Sequence, residues 1–125
     1  MSYVDGFVFV VKKNKAKAYI KMAKEAVPMY KKLGAKMYVE ARADELRPSM
    51  GGMKMRAFEK MANAKKDETV WFSFVVYKSK AARNKANRKM MQIMEKDPKA
   101  KEMMKDMPFD MKKMAFAGFK AMVEI

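Results

Sequence analysis

Two segments of the chain share one pattern and decide the fold: FVFVVKKNKA at residues 7–16 and FSFVVYKSKA at residues 72–81. Seven of the ten aligned positions are identical. Each segment begins with β-branched and aromatic residues, which are typical of a strand, and reaches a polar residue, Asn14 or Ser79, that suits a helix N-cap. Two strand–helix units, each followed by a further strand, predict the ferredoxin-like order βαββαβ. We therefore expect an α+β fold with a four-stranded antiparallel sheet.

The remaining turn and cap residues agree with this order. The first helix is expected to run from Asn14 to about Leu33, bent at Pro28 and ended by Gly34. Asp97–Pro98 is expected to end the second long helix and to open a short one. The other expected segments are strands over Tyr3–Val11, Lys36–Ala41, Val70–Lys78 and Met114–Val123, a loop over Arg42–Gly52, and a short helix within Met53–Ala64.

Successive side chains of the first and third strands point to opposite faces of the sheet, and both sets are largely apolar. Two helices cover only one face of such a sheet, and large exposed apolar patches are uncommon on monomers. We therefore expect a homodimer in which two sheet faces pack together, or else a core extended over that face by residues 42–64. In the third strand the two sets are Val70, Phe72, Phe74 and Val76 against Trp71, Ser73, Val75 and Tyr77; in the first they are Tyr3, Phe7, Phe9 and Val11 against Val4, Val8 and Val10.

The composition limits the chemistry of the chain. Its 125 residues suffice for one core, so we expect a single domain over residues 1–125. Without Cys or His, the chain has neither thiolate ligands nor the commonest general base, and we expect no metal and no cofactor. The 17 methionines are spread through the chain and are expected mainly to replace Leu in the core rather than to bind Cu(I). No stretch resembles a membrane span or a signal peptide, so a cytoplasmic location without a membrane partner is expected.

Several short motifs resemble the YbaA-like family of small, uncharacterised bacterial proteins, and the resemblance runs from about residue 2 to residue 124. It implies a dimeric α/β barrel built from ferredoxin-like protomers, and it implies no catalytic residue. The chain departs from the family's pattern at Ala41–Arg42, where the family has Cys–Trp, and at Met111, where it has Gly. The matching motifs are Tyr3–Phe7, Tyr38–Glu40, Asp67–Val70 followed by Phe72–Ser73, Tyr77–Lys80, Met107–Asp110 and Gly118–Phe119.

Acidic and phenolic side chains on the predicted strands and first helix could line a small-molecule pocket between sheet and helices. In the alternative, the carboxylates are ion-paired and the tyrosines belong to the core with hydrated hydroxyls. The superfamily also includes cofactor-independent oxygenases, so an oxygenase-like enzyme is a further alternative, which rests on that analogy alone. The pocket candidates are Asp5, Tyr19, Tyr38, Glu40 and Tyr77.

The formal net charge of +15 raises a third interpretation, which is binding of RNA or another polyanion. The third strand resembles the aromatic strand of an RNA-recognition motif, with Phe72, Phe74 and Phe9 as stacking candidates. A sheet face that stacks on RNA cannot also pack against a second protomer, and a solvated helix face explains the same charges. The polyanion-contact candidates are Lys78, Lys80, Arg83, Lys85, Arg88 and Lys89.

Overall fold

A four-stranded antiparallel sheet is the centre of the computed structural model, which describes residues 1–125. Its strands are β1 (Tyr3–Lys12), β2 (Met37–Arg42), β3 (Glu68–Tyr77) and β4 (Ala115–Lys120), and they lie side by side in the order β2-β3-β1-β4. A long helix follows β1 and another follows β3. The predicted ferredoxin-like order βαββαβ is therefore confirmed, with each strand within a few residues of its expected bounds.

Four helices accompany the sheet, two long and two short. They are α1 (Ala16–Lys32), α2 (Phe58–Met61), α3 (Lys80–Lys96) and α4 (Pro98–Met103). Three single 3₁₀ turns, at Lys13–Lys15, Met104–Asp106 and Met111–Lys113, join these elements to the sheet. No helix of the structure is both long enough and apolar enough to pass through a lipid bilayer.

The helix ends follow the sequence in part. The hydroxyl of Ser79 accepts a hydrogen bond of 3.1 Å from the Ala82 amide, which confirms the predicted cap of α3. The predicted cap at Asn14 is wrong: that residue lies in the 3₁₀ turn Lys13–Lys15, and α1 begins two residues later without a side-chain cap. Gly34 adopts a φ of +93°, the left-handed conformation that ends a helix, as expected.

Three features of the helices and strands differ from expectation. Pro28 does not divide α1, which continues through it to Lys32 with the proline ring on the exposed side. The expected helix within residues 53–64 is reduced to α2, and the preceding segment is exposed and contains Gly51 and Gly52 at positive φ. The last strand ends at Lys120 rather than Val123, and one further backbone bond, from the Ala121 amide to the Ser2 carbonyl at 3.0 Å, continues its pairing with β1.

One face of the sheet carries the main core. The helix-facing side chains of β1 and β3 include Phe9, Val11, Trp71, Val75 and Tyr77, all of them buried. In that face, Tyr19 and Ala23 of α1 pack on Phe9 and Trp71, while Ala86 of α3 packs on Val75 and Tyr77. Both long helices therefore lie on the same side of the sheet, and we call this side the helix face.

The opposite side, which we call the open face, is apolar but largely uncovered. Its most exposed rings are Phe72, at 45% exposed, and Phe119, at 57%. The part of this face that is covered is the end that holds Val10 and Val70, where Ala62 packs on both residues. The predicted two apolar faces are confirmed. The alternative, a core extended by residues 42–64, is realised only at Ala62, and the rest of the face stays uncovered.

The internal repeat preserves topology but not side-chain orientation. In the observed register, Phe7 lies opposite Ser73, and Phe9 opposite Trp71. Residues that are paired across antiparallel strands share a face, so Phe7 and Phe9 face the helices while Phe72 faces away. The two segments that align in sequence therefore present their aromatic rings on opposite sides of the sheet.

Candidate functional site

A cleft of about 310 Å³ lies on the helix face, between α1 and the edge strand β2. Its volume is at the small end of the range for ligand sites, about 300–1,000 Å³. The wall from α1 is mainly apolar and the wall from the sheet is polar, and every predicted residue that reaches the cleft belongs to β2. Eight residues line it: Ile20, Ala23, Lys24 and Val27 from α1, Tyr38, Glu40 and Arg42 from β2, and Trp71 from β3.

Alternation along β2 explains which of its side chains reach the cleft. Tyr38, Glu40 and Arg42 are two residues apart, so all three point to the helix face. Their Cα partners on β3 are Val75, Ser73 and Trp71, which face the same way. Because β2 is an edge strand, no further strand lies beyond these side chains. The polar wall of the cleft is therefore a consequence of strand register.

Glu40 is the chemically distinctive group of this wall. One carboxylate oxygen, Oε2, accepts a hydrogen bond of 2.6 Å from the Tyr38 hydroxyl. The other, Oε1, is buried and has no hydrogen bond of ordinary geometry, although the Tyr19 hydroxyl lies near the same carboxylate. A buried acceptor without a donor costs about 1–3 kcal/mol, and more if it is charged. Glu40 thus has an unused acceptor at the wall of a cleft.

The tyrosines around Glu40 remain protonated. Burial, followed by the charge of Glu40, raises the pKa of Tyr19 far above its usual value of 10.0. Burial and then the hydrogen bond to Glu40 raise the pKa of Tyr38 in the same direction. Burial also raises the pKa of Tyr30, whose ring centroid lies 4.4 Å from that of Tyr38, to about 12. The Tyr38 hydroxyl donates to Glu40, and none of the three tyrosines supplies a phenolate near neutral pH.

A second polar cluster lies on the same face, beneath α3. Arg83 Nε donates to Asp5 Oδ1 at 2.9 Å, and its guanidinium lies 4.8 Å from the centroid of the Tyr3 ring. Burial, then the charge of Asp5, raises the pKa of Tyr77 to about 12. A side chain at Gly118 would overlap Arg83 and would lie 2.5 Å from the Tyr3 hydroxyl oxygen. This cluster is packed and internally paired.

The structure therefore divides the five pocket candidates. Tyr38 and Glu40 line the cleft, and Tyr19 lies in the core behind it. Asp5 and Tyr77 belong to the second cluster, where the alternative interpretation of a paired carboxylate and a core phenol describes them well. No group of three or more acidic side chains is arranged to hold a metal ion.

Sequence reasoning missed the cations and the indole of the cleft. Arg42, expected in a loop, belongs to β2, and its guanidinium lies 5.9 Å from the centroid of the Trp71 ring. Lys24 is one of many lysines and carried no distinguishing signal. The spacing of Arg42 two residues after Glu40 was the available signal, because an extended strand would place both side chains on one face.

The polyanion candidates also separate. Lys78, Lys80, Lys85, Arg88 and Lys89 are exposed, whereas Arg83 is occupied by Asp5. The stacking candidates Phe72 and Phe74 lie on the open face, and Phe9 is buried on the helix face. The three rings cannot form one stacking platform, and the basic helix α3 lies across the sheet from Phe72 and Phe74.

Comparison with known proteins identifies the class and then the family. The structure resembles a crystal structure described as a dimeric ferredoxin-like protein from an uncultured marine organism, with a TM-score of 0.63, 10% identity and full coverage of both chains. The class is therefore an α+β protein of ferredoxin-like fold. A family model described as "Protein of unknown function (DUF1428)" matches residues 2–111, and the chain belongs to that family.

Curated relatives agree with this assignment. The chain is 40% identical over 124 residues to the uncharacterised protein YbaA of Escherichia coli strain K12, with 99% of each chain covered. The YbaA of Shigella flexneri matches with the same identity and coverage. The resemblance to the YbaA-like family is confirmed over nearly the whole chain.

Proposed function

We propose that the protein binds a small molecule in the cleft between α1 and β2, and that the ligand combines a hydrogen-bond donor with an anionic group on a flat apolar body. The observation that carries this proposal is the Glu40 carboxylate at the cleft wall, whose second oxygen, Oε1, is buried there without a hydrogen bond. An amine or hydroxyl of a ligand would supply the missing donor once the Glu40 carboxylate turns this oxygen toward the cleft. Buried polar groups are normally paired, so this oxygen favours a donor-bearing ligand over an apolar one.

The rest of the lining fits the same ligand. Lys24 and Arg42 are cations at the cleft, and Arg presents a planar fork that matches a carboxylate. Ile20, Val27 and Trp71 offer apolar surface for a flat body. Few, well-placed polar groups on a mostly apolar cleft are the usual composition of a specific small-molecule site.

The test uses the fluorescence of Trp71, which is the only tryptophan of the chain and lies in the cleft. Three probes of similar size are titrated: 4-aminobenzoate and 4-hydroxybenzoate, which carry a donor and a carboxylate, and benzoate, which lacks the donor. We expect the first two to change the emission of Trp71 at lower concentration than benzoate. The variant Glu40→Gln should weaken them about tenfold, the equivalent of ~1.4 kcal/mol, and should leave benzoate unchanged.

The matched control is Glu95→Gln, which removes the same charge from an exposed position on α3. It should leave all three titrations unchanged. The proposal is refuted if the probes do not distinguish Glu40→Gln from the control, or if benzoate binds as tightly as its donor-bearing analogues. An oxygenase-like activity remains a prediction from the superfamily, because the cleft geometry supports binding without indicating a reaction.

We also propose that the protein is a homodimer in which the open faces of two sheets pack together. The support is the exposed Phe72 and Phe119 on that face, together with the description of the ferredoxin-like neighbour as dimeric. Burying such rings on the helix-free side would remove an apolar patch from water. The cleft lies on the helix face, so both copies would keep it accessible.

Light scattering after size exclusion tests the dimer. The wild-type mass is expected to be twice 14.5 kDa. Phe72→Glu should lower it to that of a monomer, because a carboxylate would be buried without a partner between the sheets. Met91→Glu introduces the same charge at an exposed apolar residue of α3, outside the open face, and should leave the dimer intact. A wild-type monomer, or equal effects of the two variants, would contradict this assembly.

A further inference from the structure

The outer surface of the two long helices is strongly basic. On α3 the outward-facing cations lie within about half of the helix circumference at 100° per residue. They are all exposed and share that surface with one acid, Glu95. The five cations of α3 are Lys80, Lys85, Arg88, Lys89 and Lys96.

The neighbouring helix continues this surface. Apart from Lys24, which lines the cleft, four exposed lysines of α1, at positions 17, 21, 31 and 32, also point away from the sheet, with one acid, Glu25. The two helices lie on the same side of the sheet, where Tyr30 of α1 and Ala86 of α3 belong to one apolar cluster with Val75 and Tyr77. These nine cations of α1 and α3 define what we call the basic helix face.

None of these nine cations is neutralised within the molecule. The five ion pairs of the structure involve Lys15, Lys36, Arg47, Arg83 and Lys113, none of which belongs to the basic helix face. Like charges held together at this density destabilise the compact state through repulsion. The fold does not require them, because the core contacts of both helices are made by their other sides. The charges are available for an anionic partner.

We propose that the basic helix face binds the phosphate backbone of nucleic acid, without sequence preference. From Lys80 to Lys96 the cations of α3 extend over about 24 Å at 1.5 Å per residue, which corresponds to about seven base pairs of duplex. The cations of α1 lie beside them, so the surface is extended in two directions. An extended array of this kind fits a regular polyanion better than a small anion, which would contact only two or three of the charges.

The composition of the face argues against a membrane and against base recognition. A helix that lies in a lipid interface inserts large apolar side chains. The outward side of α1 carries Ala18 and Pro28 between its lysines, and that of α3 carries Ala81 and Met91, with Ile93 at its margin. Single-stranded binding proteins stack bases on aromatic rings, and the outward positions of these two helices contain none. Backbone contacts therefore supply the binding.

The test measures fluorescence anisotropy of a fluorescein-labelled duplex of about 20 base pairs with the full chain, between about 50 and 200 mM KCl. The triple variant Lys85→Gln, Arg88→Gln, Lys89→Gln is compared with wild type. We expect the slope of log Kobs against log salt to become shallower by about 2.7 for three lost phosphate contacts. At fixed salt, the affinity should fall by at least about tenfold.

The matched control is the triple variant Lys54→Gln, Lys60→Gln, Lys66→Gln, which removes three exposed, unpaired lysines elsewhere in the chain. It lowers the net charge equally and should change the slope by much less. If both triple variants lose affinity and salt slope equally, the net charge of the chain explains the binding, and the proposal is overturned. Absence of duplex binding, or binding only to phosphatidylserine vesicles, would overturn it as well. None of these variants touches the cleft, so failure here leaves the small-molecule proposal standing, and the reverse also holds.

Discussion

The buried pair of Asp5 and Arg83 allows a quantitative prediction about stability. The Asp5 side chain is 4% exposed and the Arg83 side chain 19%, and they share a hydrogen bond of 2.9 Å. Removing one partner of a buried ion pair costs about 3–5 kcal/mol, because the other charge stays buried alone. The two partners are not equally dependent on each other, so the two single variants should differ.

Arg83 retains other contacts when Asp5 is neutralised. Its Nη1 donates to Asn84 Oδ1 at 2.9 Å, and the Tyr3 ring lies beneath the guanidinium. Asp5, in contrast, receives no side-chain hydrogen bond except that of Arg83. We therefore expect Asp5→Asn to lower the free energy of unfolding by about 2–3 kcal/mol, and Arg83→Met by about 3–5 kcal/mol.

Urea unfolding at fixed protein concentration measures both effects, since the stability of an oligomer depends on concentration. The double variant Asp5→Asn, Arg83→Met completes a double-mutant cycle. Because it leaves no buried charge, it should cost less than the sum of the single variants by at least about 1 kcal/mol. Glu95→Gln on exposed α3 serves as the surface control and should change stability by less than about 0.5 kcal/mol.

The reasoning is refuted if Asp5→Asn costs as much as Arg83→Met or more. It is also refuted if the two single costs add in the double variant, because additivity would mean that the two side chains do not interact across α3 and β1. Either result would mean that the contact between Asp5 and Arg83 does not determine the stability of the fold in the way described.

Two further predictions concern contacts at the ends of the sheet. Gly118→Ala should destabilise the fold by about 1–3 kcal/mol, because its methyl group must displace Arg83 or Tyr3, and urea unfolding should show this cost reduced when Arg83 is already Met. The hydrogen bond from Lys113 lowers the pKa of Glu68 below its usual 4.5, so Glu68 contributes stability above that pH that is lost as the pH falls through its folded value. Thermal unfolding of Glu68→Gln against wild type should show a deficit near neutral pH that disappears in acid, and a constant deficit would contradict this origin.

The sequence predicted the topology because the main strands are short apolar runs and the signals at the helix ends are local. Residues 70–77 and 3–11 are rich in Val and aromatic residues on both faces, which is typical of a strand covered on both sides. Gly34 and Ser79 act through the backbone within a few residues of themselves, so their roles require no knowledge of the tertiary fold. The prediction at Asn14 failed because a 3₁₀ turn separates β1 from α1 and moves the helix start.

The candidate site was predicted only in part because its assembly depends on register. Tyr38 and Glu40 were identified as strand residues, and the structure places both at the cleft. Asp5 is an equally plausible candidate from the sequence. In the structure it pairs with Gly118 across β1 and β4, and because this glycine has no side chain, Arg83 can reach Asp5. Nothing local to residue 5 distinguishes a paired carboxylate from one with a free acceptor.

The same register explains why charge and aromaticity do not act together in this molecule. The aligned segments suggest one surface that combines Phe9, Phe72 and the cations of α3, as an RNA-recognition sheet would. In the observed register Phe72 lies opposite Val8 and not opposite Phe7, so its ring is on the open face. Lys85 and Arg88 lie on the other side of the sheet, on the outer surface of α3. Because a one-residue change in register moves every side chain to the other face, the chain separates an apolar surface suited to a second copy from a cationic surface suited to phosphates. The two proposals therefore use opposite sides of the protomer, and a dimer formed through the open face would display two basic helix faces outward.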